Sequence, residues 1–313
     1  AQGPMQVGST RVVLTALAGN GAIAVAKFAA AGLSGSTAML TEAIHSLVDT
    51  GDQLLLLVGQ ARGRREPDDS HPLGYGMETY FWSFIVALMV FVLGGMLSIY
   101  EGVRHILHPS ALVSPWISLG VLAVSAVFEG ISFRAGWREY KRVVRGAPIR
   151  FWGFIRISKD PGLVSVLLED SAALIGIALA AMGVIAASFF HLACADGAAS
   201  VAIGLLLTGV AFVLANETRS LIAGESVAPI VMQRLKETLD RINCITRLDD
   251  VATLHLGPGV ILVALTIGFR PKATGASIDA AIREITECLQ ATDGRVAYVY
   301  VRPSHAGEAK ADA

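Results

Sequence analysis

The sequence predicts an α-helical membrane protein with six transmembrane helices and a small C-terminal cytoplasmic α/β domain. Three observations carry that prediction. Of 313 residues, 53% are hydrophobic and the mean hydropathy is +0.58, values that soluble domains rarely reach. Four stretches, Phe81–Tyr100, Ala111–Phe128, Ser171–Phe190 and Gly197–Asn216, hold no charged residue, and a spanning helix needs about 20 mainly apolar residues. From about Ser226 onward the chain turns to mixed polar and apolar residues, the chemistry of a water-soluble fold.

Two further helices complete the six. Val12–Leu33 is interrupted only by Asn20 and Lys27, and Met39–Ala61 carries a polar stripe. The expected spans are therefore 12–34, 37–61, 79–106, 112–136, 161–190 and 196–221. Residues 1–11 read as an N-terminal tail, 12–222 as the six-helix domain, 226–303 as the cytoplasmic domain and 304–313 as a flexible tail. The first five residues lack the basic region and apolar core of a signal peptide.

Basic residues set the expected orientation. The link between the second and third helices carries Arg62, Arg64 and Arg65. The link between the fourth and fifth carries Arg138, Lys141, Arg142, Arg145, Arg150, Arg156 and Lys159. The links on the other side hold no Lys or Arg apart from Arg104 at one edge. Both termini are therefore expected on the cytoplasmic side, in the cell (inner) membrane.

In the C-terminal part, Ile230–Ile242 has helical periodicity behind Pro229. Val251–Leu256 and Val260–Phe269 alternate as strands, joined by Gly257-Pro258-Gly259, a hairpin signal. Ile278–Leu289 is amphipathic and Val296–Val301 reads as a strand. The order α-β-β-α-β predicts a two-layer sheet-and-helix domain.

The chemistry concentrates in the second helix. Glu42, His45, Asp49 and Asp52 recur at spacings of three and four, so they share one helical face. Ionisable groups at membrane depth are costly, which makes them functional candidates. His45 and Asp49, one turn apart, are a ready pair of ligands for a divalent transition metal. Glu169-Asp170, just inside the fifth apolar run, is the acidic complement. One His with two or three carboxylates suits zinc, with manganese, iron(II) or cobalt as alternatives.

Other polar groups have plainer readings. Glu42 and Asp52 are either a path for ions or protons or solvated groups near helix ends. Glu129 is expected to pair with Arg134, Lys27 to pair or snorkel, and Asp196 to complement the dipole of its own helix. His105 and His108 read as interfacial, and His255 as a structural strand residue. Asp68 with His71, in the link after the second helix, is a candidate secondary metal pair or a solvated turn.

Several classes are excluded. Net charge is −1, so the overall charge gives no reason to expect a nucleic-acid partner. Cys194, Cys244 and Cys288 are scattered and form neither a disulfide framework nor a zinc-finger spacing. Walker A, GxGxxG, HExxH and GxSxG motifs do not occur, so the chain is not read as an enzyme, and no prosthetic group is expected.

The segment Ala38–Asp49, the link Pro67–Gly76 and the segment Leu167–Ala173 together resemble the cation diffusion facilitator family. Leu167–Ala173 is similar to a zinc-transporter branch that includes a mitochondrial member in animals. The resemblance spans nearly the whole chain. It implies homodimers that exchange a cytosolic divalent metal, usually Zn2+ and otherwise Mn2+, Fe2+, Co2+ or Cd2+, for protons. It implies a ferredoxin-like cytoplasmic domain and a transport site shared by the second and fifth helices. By position, His45, Asp49 and Asp170 match three of the four usual ligands. The fourth position is Val166, and Glu169 is the candidate substitute. Asp68 and His71 match ligand positions of a second site in some members, where a further His is Tyr75 here. A free imidazole titrates near pH 6.5, which makes His45 the candidate for proton coupling. A manganese or iron(II) exporter and a non-transporting membrane scaffold stand as alternatives.

Overall fold

The structure is a computed structural model that describes residues 10–109, 114–144, 151–157, 161–242, 245–270 and 273–304. The expected tails, most of 1–11 and of 304–313, lie outside these residues, as do Cys244 and several basic residues of the link after 144.

The chain divides into two compact units, one of residues 1–59 and 82–218, the other of 60–81 and 219–313. The first is a helical bundle. Helix α1 covers Thr10–Ser34 and α2 covers Thr37–Gly63. Helix α3 covers Glu78–Leu107, α4 Pro115–Val143, the short α5 Phe151–Ile157, α6 Pro161–Phe189 and α7 Ala195–Ile222. Among the described residues, α3, α4, α6 and α7 are long and apolar enough to cross a membrane. α2 is long enough but carries the polar stripe.

Two boundaries differ from expectation. α4 runs to Val143 rather than 136, because Arg138, Lys141 and Arg142 are good helix formers and a helix need not end where its apolar span does. The short helix α5 lies in the basic link between the fourth and fifth expected spans. α3 also widens to a π-helical stretch over Val90–Met96, which hydropathy does not reveal.

Small residues let these helices approach. A Cβ on Gly102 would meet the Gly197 carbonyl oxygen and Val201 of α7. One on Gly204 would meet the Gly95 carbonyl oxygen of α3. α4 packs against both α1 and α6, and Gly136 of α4 abuts Leu167 of α6. Ala30, Val48, Val86, Leu122, Ile203 and Leu207 belong to one buried cluster. Trp116, Val127, Ile131 and Phe212 are exposed, as side chains facing lipid would be.

The start of α2 is fixed with care. Gly35, at φ 68°, ends α1, since only glycine takes that left-handed backbone cheaply. Ser36 then accepts the Met39 amide at 3.1 Å. Its hydroxyl donates to Asp196 of α7 at 2.5 Å, and Asp196 also accepts the amides of Thr37 and Ala38. The Asp196 carboxylate therefore caps α2 rather than its own helix.

The second unit holds α8 (Pro229–Leu239), β1 (Ile245–Gly257), β2 (Val260–Phe269), α9 (Gly275–Thr292) and β3 (Val296–Pro303). The α-β-β-α-β order matches the periodicity, although β1 begins six residues before the alternation does. The sheet order is β1-β2-β3, with β1 antiparallel and β3 parallel to β2. Ile261, Val263, Leu265 and Ile267 of β2 face Leu235, Leu239, Ile285 and Leu289 of the two helices in one core. Gly259, at φ 75°, follows Pro258 in the tight hairpin loop. The link residue Gly76 abuts the backbone of Leu256 and Gly257, where a Cβ would overlap main chain.

Candidate metal centre

α2 and α6 bring the two acidic segments together. A cavity of about 110 Å³ is lined by Asp49 and Ser46 of α2, Glu169, Asp170 and Val166 of α6, and Glu129 of α4. Val166, the apolar residue one turn before Asp170, forms part of the wall.

His45 is buried, and its Nδ1 lies 3.4 Å from Asp49 Oδ1. Neither ring nitrogen has a hydrogen-bond partner. The neighbours Glu169 and Asp170 divide their attention. Asp170 accepts a hydrogen bond from Ser132 of α4 at 2.8 Å, whereas Glu169 turns to α2. Ligand atoms of Glu169, Asp49 and Asp52 all lie within 4.8 Å of one another. The offset of about 100° between adjacent helical residues thus sends the two carboxylates to different helices facing one cavity.

Asp52 is the residue that the spacing left open, and it belongs to this cluster rather than to a solvated helix end. It is fully buried. Asp49 Oδ1, both Asp52 oxygens and Glu169 Oε1 have no hydrogen-bond donor. Buried polar groups are almost always satisfied, so these bare carboxylate oxygens are candidate ligands for a cation.

Glu129 lines the cavity while Arg134 is exposed, so the expected pair between them is not made. The signal for Glu129 was present, a lone acid in an otherwise apolar helical span, but a nearby arginine masked it. Lys27 does pair. Its Nζ donates to Glu42 Oε2 at 3.1 Å and to Ser46 Oγ at 2.7 Å, with both charged groups fully buried. Glu42 is pressed against Gly176 of α6, where a Cβ would collide with Oε1. His105, expected at an interface, is buried.

The link pair is different in kind. Asp68 accepts from the Ser70 amide and hydroxyl, the His71 amide and the Tyr75 hydroxyl. These donors hold its carboxyl well below the usual range, the Tyr75 bond contributing most. His71 Nδ1 lies 3.7 Å from Asp68, and the His71 and Tyr75 rings are 4.0 Å apart. Here the carboxylate is already consumed by its own turn.

Residues 13–223, which include all of the cavity, match the family described as the cation efflux transmembrane domain. The chain belongs to the cation diffusion facilitator family. Among curated members, it is 33% identical over 90% of its length to the human proton-coupled zinc antiporter SLC30A9, mitochondrial, covering 50% of that protein. It is 30% identical over 83% of its length to metal tolerance protein C4 of Arabidopsis thaliana, covering 57% of it. The manganese efflux system protein MneS of Bacillus subtilis is 25% identical over 72% of the chain and 71% of its own length. The chain thus spans about half the length of the mitochondrial relatives it matches. The family, and the mitochondrial branch within it, are those that the segments Ala38–Asp49 and Leu167–Ala173 resemble.

Proposed function

We propose that the protein exports a divalent metal cation, Zn2+ first, from the cytosol in exchange for protons, by alternating access. The observation that carries this reading is the pair of unpartnered carboxylates, Asp49 and Glu169, brought from α2 and α6 to one buried cavity beside His45. The zinc antiporter name of the mitochondrial relatives supports the choice of metal.

The proposed transport ligands are His45, Asp49, Asp170 and Glu169. Zinc binds deprotonated ligands, so its arrival releases protons and their return releases zinc. His45 and Asp49 are within 3.4 Å of each other, so a proton on one weakens the other as a ligand. His45 is therefore the proposed coupling group. The protein is proposed to work as a homodimer in the cell (inner) membrane with both termini cytoplasmic, the basic links supporting the orientation alone. No nucleic acid, enzyme activity or prosthetic group enters this reading.

The test is zinc flux in proteoliposomes under an imposed pH gradient, with wild type beside His45→Ala and Asp170→Ala. Gradient-driven zinc movement that both variants lose supports the proposal. Normal flux in either variant removes that residue from the site. Absence of flux with zinc but not with manganese or iron(II) changes the substrate, and absence with every divalent metal favours the scaffold alternative.

A further inference from the structure

The cavity and the buried groups beside it hold more ligands than a single ion needs, and they fall at two levels along α2. At about 1.5 Å rise per residue, Asp52 lies about 4.5 Å from Asp49 along the axis, toward the end that carries Arg62. His45 lies about 6 Å away on the other side. Asp49 belongs to both levels. On one side its partner is an imidazole nitrogen. On the other its partners are the oxygens of Asp52 and Glu169.

The second set is more than a cluster of acids. Asp52 is 0% and Glu169 8% exposed, both carry unpartnered oxygens, and one carboxylate oxygen of each lies within 4.8 Å of the other and of one on Asp49. Buried carboxylates held this close repel strongly unless a cation or a proton stands between them. Lys27, the buried cation nearest in sequence to this face, is engaged by Glu42 and Ser46. The donor set is oxygen alone, which suits hard divalent ions such as Mn2+ and holds zinc less selectively than a set with nitrogen.

We propose that Asp49, Asp52 and Glu169 form a second, oxygen-only cation subsite, a staging position between the Arg62 end of α2 and the His45 level. It rests on the transport reading for its direction of use. A metal arriving from the Arg62 end meets the triad first and then moves one turn along α2 as His45 replaces Asp52. Because Asp49 serves both levels, one ion passes between them instead of two ions filling them together.

The experiment uses the full chain, wild type beside Asp52→Asn, Glu169→Gln and His45→Ala, each checked for monodisperse elution in detergent. Mn2+ binding is followed by loss of the free-ion electron paramagnetic resonance signal, and zinc flux is followed in proteoliposomes. Asp52→Asn and Glu169→Gln should each weaken Mn2+ binding by about tenfold, and His45→Ala, which leaves the oxygen set intact, should weaken it less than either. Asp52→Asn should raise KM for zinc about tenfold and keep the maximal rate within about twofold. Unchanged Mn2+ binding in Asp52→Asn overturns the subsite. So does loss of zinc flux at saturating zinc in that variant, since Asp52 would then be a transport ligand. Wild type without any metal flux defeats the transport reading instead, and the Mn2+ titrations still decide the subsite.

Discussion

Along the first half of α2, charge is matched by protein; along the second, it is not. Glu42 has Lys27, and the helix start has Asp196 from α7. About two to three turns further on, Asp49 and Asp52 face Glu169 of α6 with oxygens that no donor satisfies. Burial alone does not separate the halves, because Glu42 and Asp52 are both fully buried. What separates them is a fixed countercharge. Glu42 is held by Lys27 as a structural joint, although its Oε1 accepts no hydrogen bond, whereas carboxylates gathered with no cation beside them are groups waiting for a mobile one.

The sharpest way to break this contrast is to uncouple the joint. Lys27→Met leaves Glu42 buried against Gly176 without its cation, and it should destabilise the bundle by about 3–5 kcal/mol. Lys27→Met with Glu42→Gln removes both charges and should recover most of that loss. Thermal unfolding in detergent distinguishes the two variants. Equal melting temperatures for the single and double variants would show that the pair carries no structural role.

The second half should respond in the opposite sense. Asp49→Asn removes one of the crowded carboxylates, so the metal-free protein should gain about 1–2 kcal/mol of stability. The same change should abolish the stabilisation that zinc gives wild type, about 2.7 kcal/mol at a hundredfold excess over Kd. Melting curves with and without zinc measure both. A metal-free variant less stable than wild type would mean that Asp49 holds the fold together and is not a ligand in waiting.

These two halves also mark how far the sequence could be read. The spans α3, α4, α6 and α7 follow from uncharged runs, and the α-β-β-α-β order follows from alternation and the Pro258-Gly259 turn. The face shared by His45, Asp49 and Asp52 follows from spacing. Partners do not. Nothing local ties Lys27 to Glu42, fifteen residues away across a turn, or Asp196 to the amides of Thr37 and Ala38. Whether Asp52 meets water or Glu169 depends on the rotation of α6, which is set by small residues such as Gly176 and Gly183 against their neighbours. The π-helical stretch at Val90–Met96 leaves no periodic trace for the same reason, since it is decided by packing and not by local preference.

The Asp196 cap is a smaller joint of the same kind as the Lys27 pair. Asp196→Ala removes an acceptor of three hydrogen bonds, two of them from backbone amides that no other group is placed to satisfy. The expected cost is about 2 kcal/mol. Asp196→Asn, which keeps one acceptor oxygen, should lose less. Hydrogen exchange at Thr37 and Ala38 should speed up in proportion. Exchange unchanged in Asp196→Ala would mean that Ser36 caps α2 unaided.

The weakest expected effect lies in the link, where a carboxylate next to a histidine looks like a metal pair but is bonded like a turn. Asp68 has its pKa lowered in the fold by donors from Tyr75, Ser70 and His71. A carboxyl lowered in this way adds stability above its unfolded value, about pH 3.9. It loses that contribution only as the pH falls through the lower folded value. The turn should therefore keep its Ser70 and His71 amide signals unchanged from about pH 5 to below about pH 4, as followed by nuclear magnetic resonance of the labelled protein. Asp68→Ala should disperse those signals yet leave zinc flux within about twofold of wild type, because the side chain is exposed and screened by solvent. A large loss of flux in Asp68→Ala, with Tyr75→Phe unaffected, would reverse the assignment. The carboxylate would then serve the metal and not the turn, and fixed protein donors or countercharges around a carboxylate would fail as the test that separates a structural charge from a functional one.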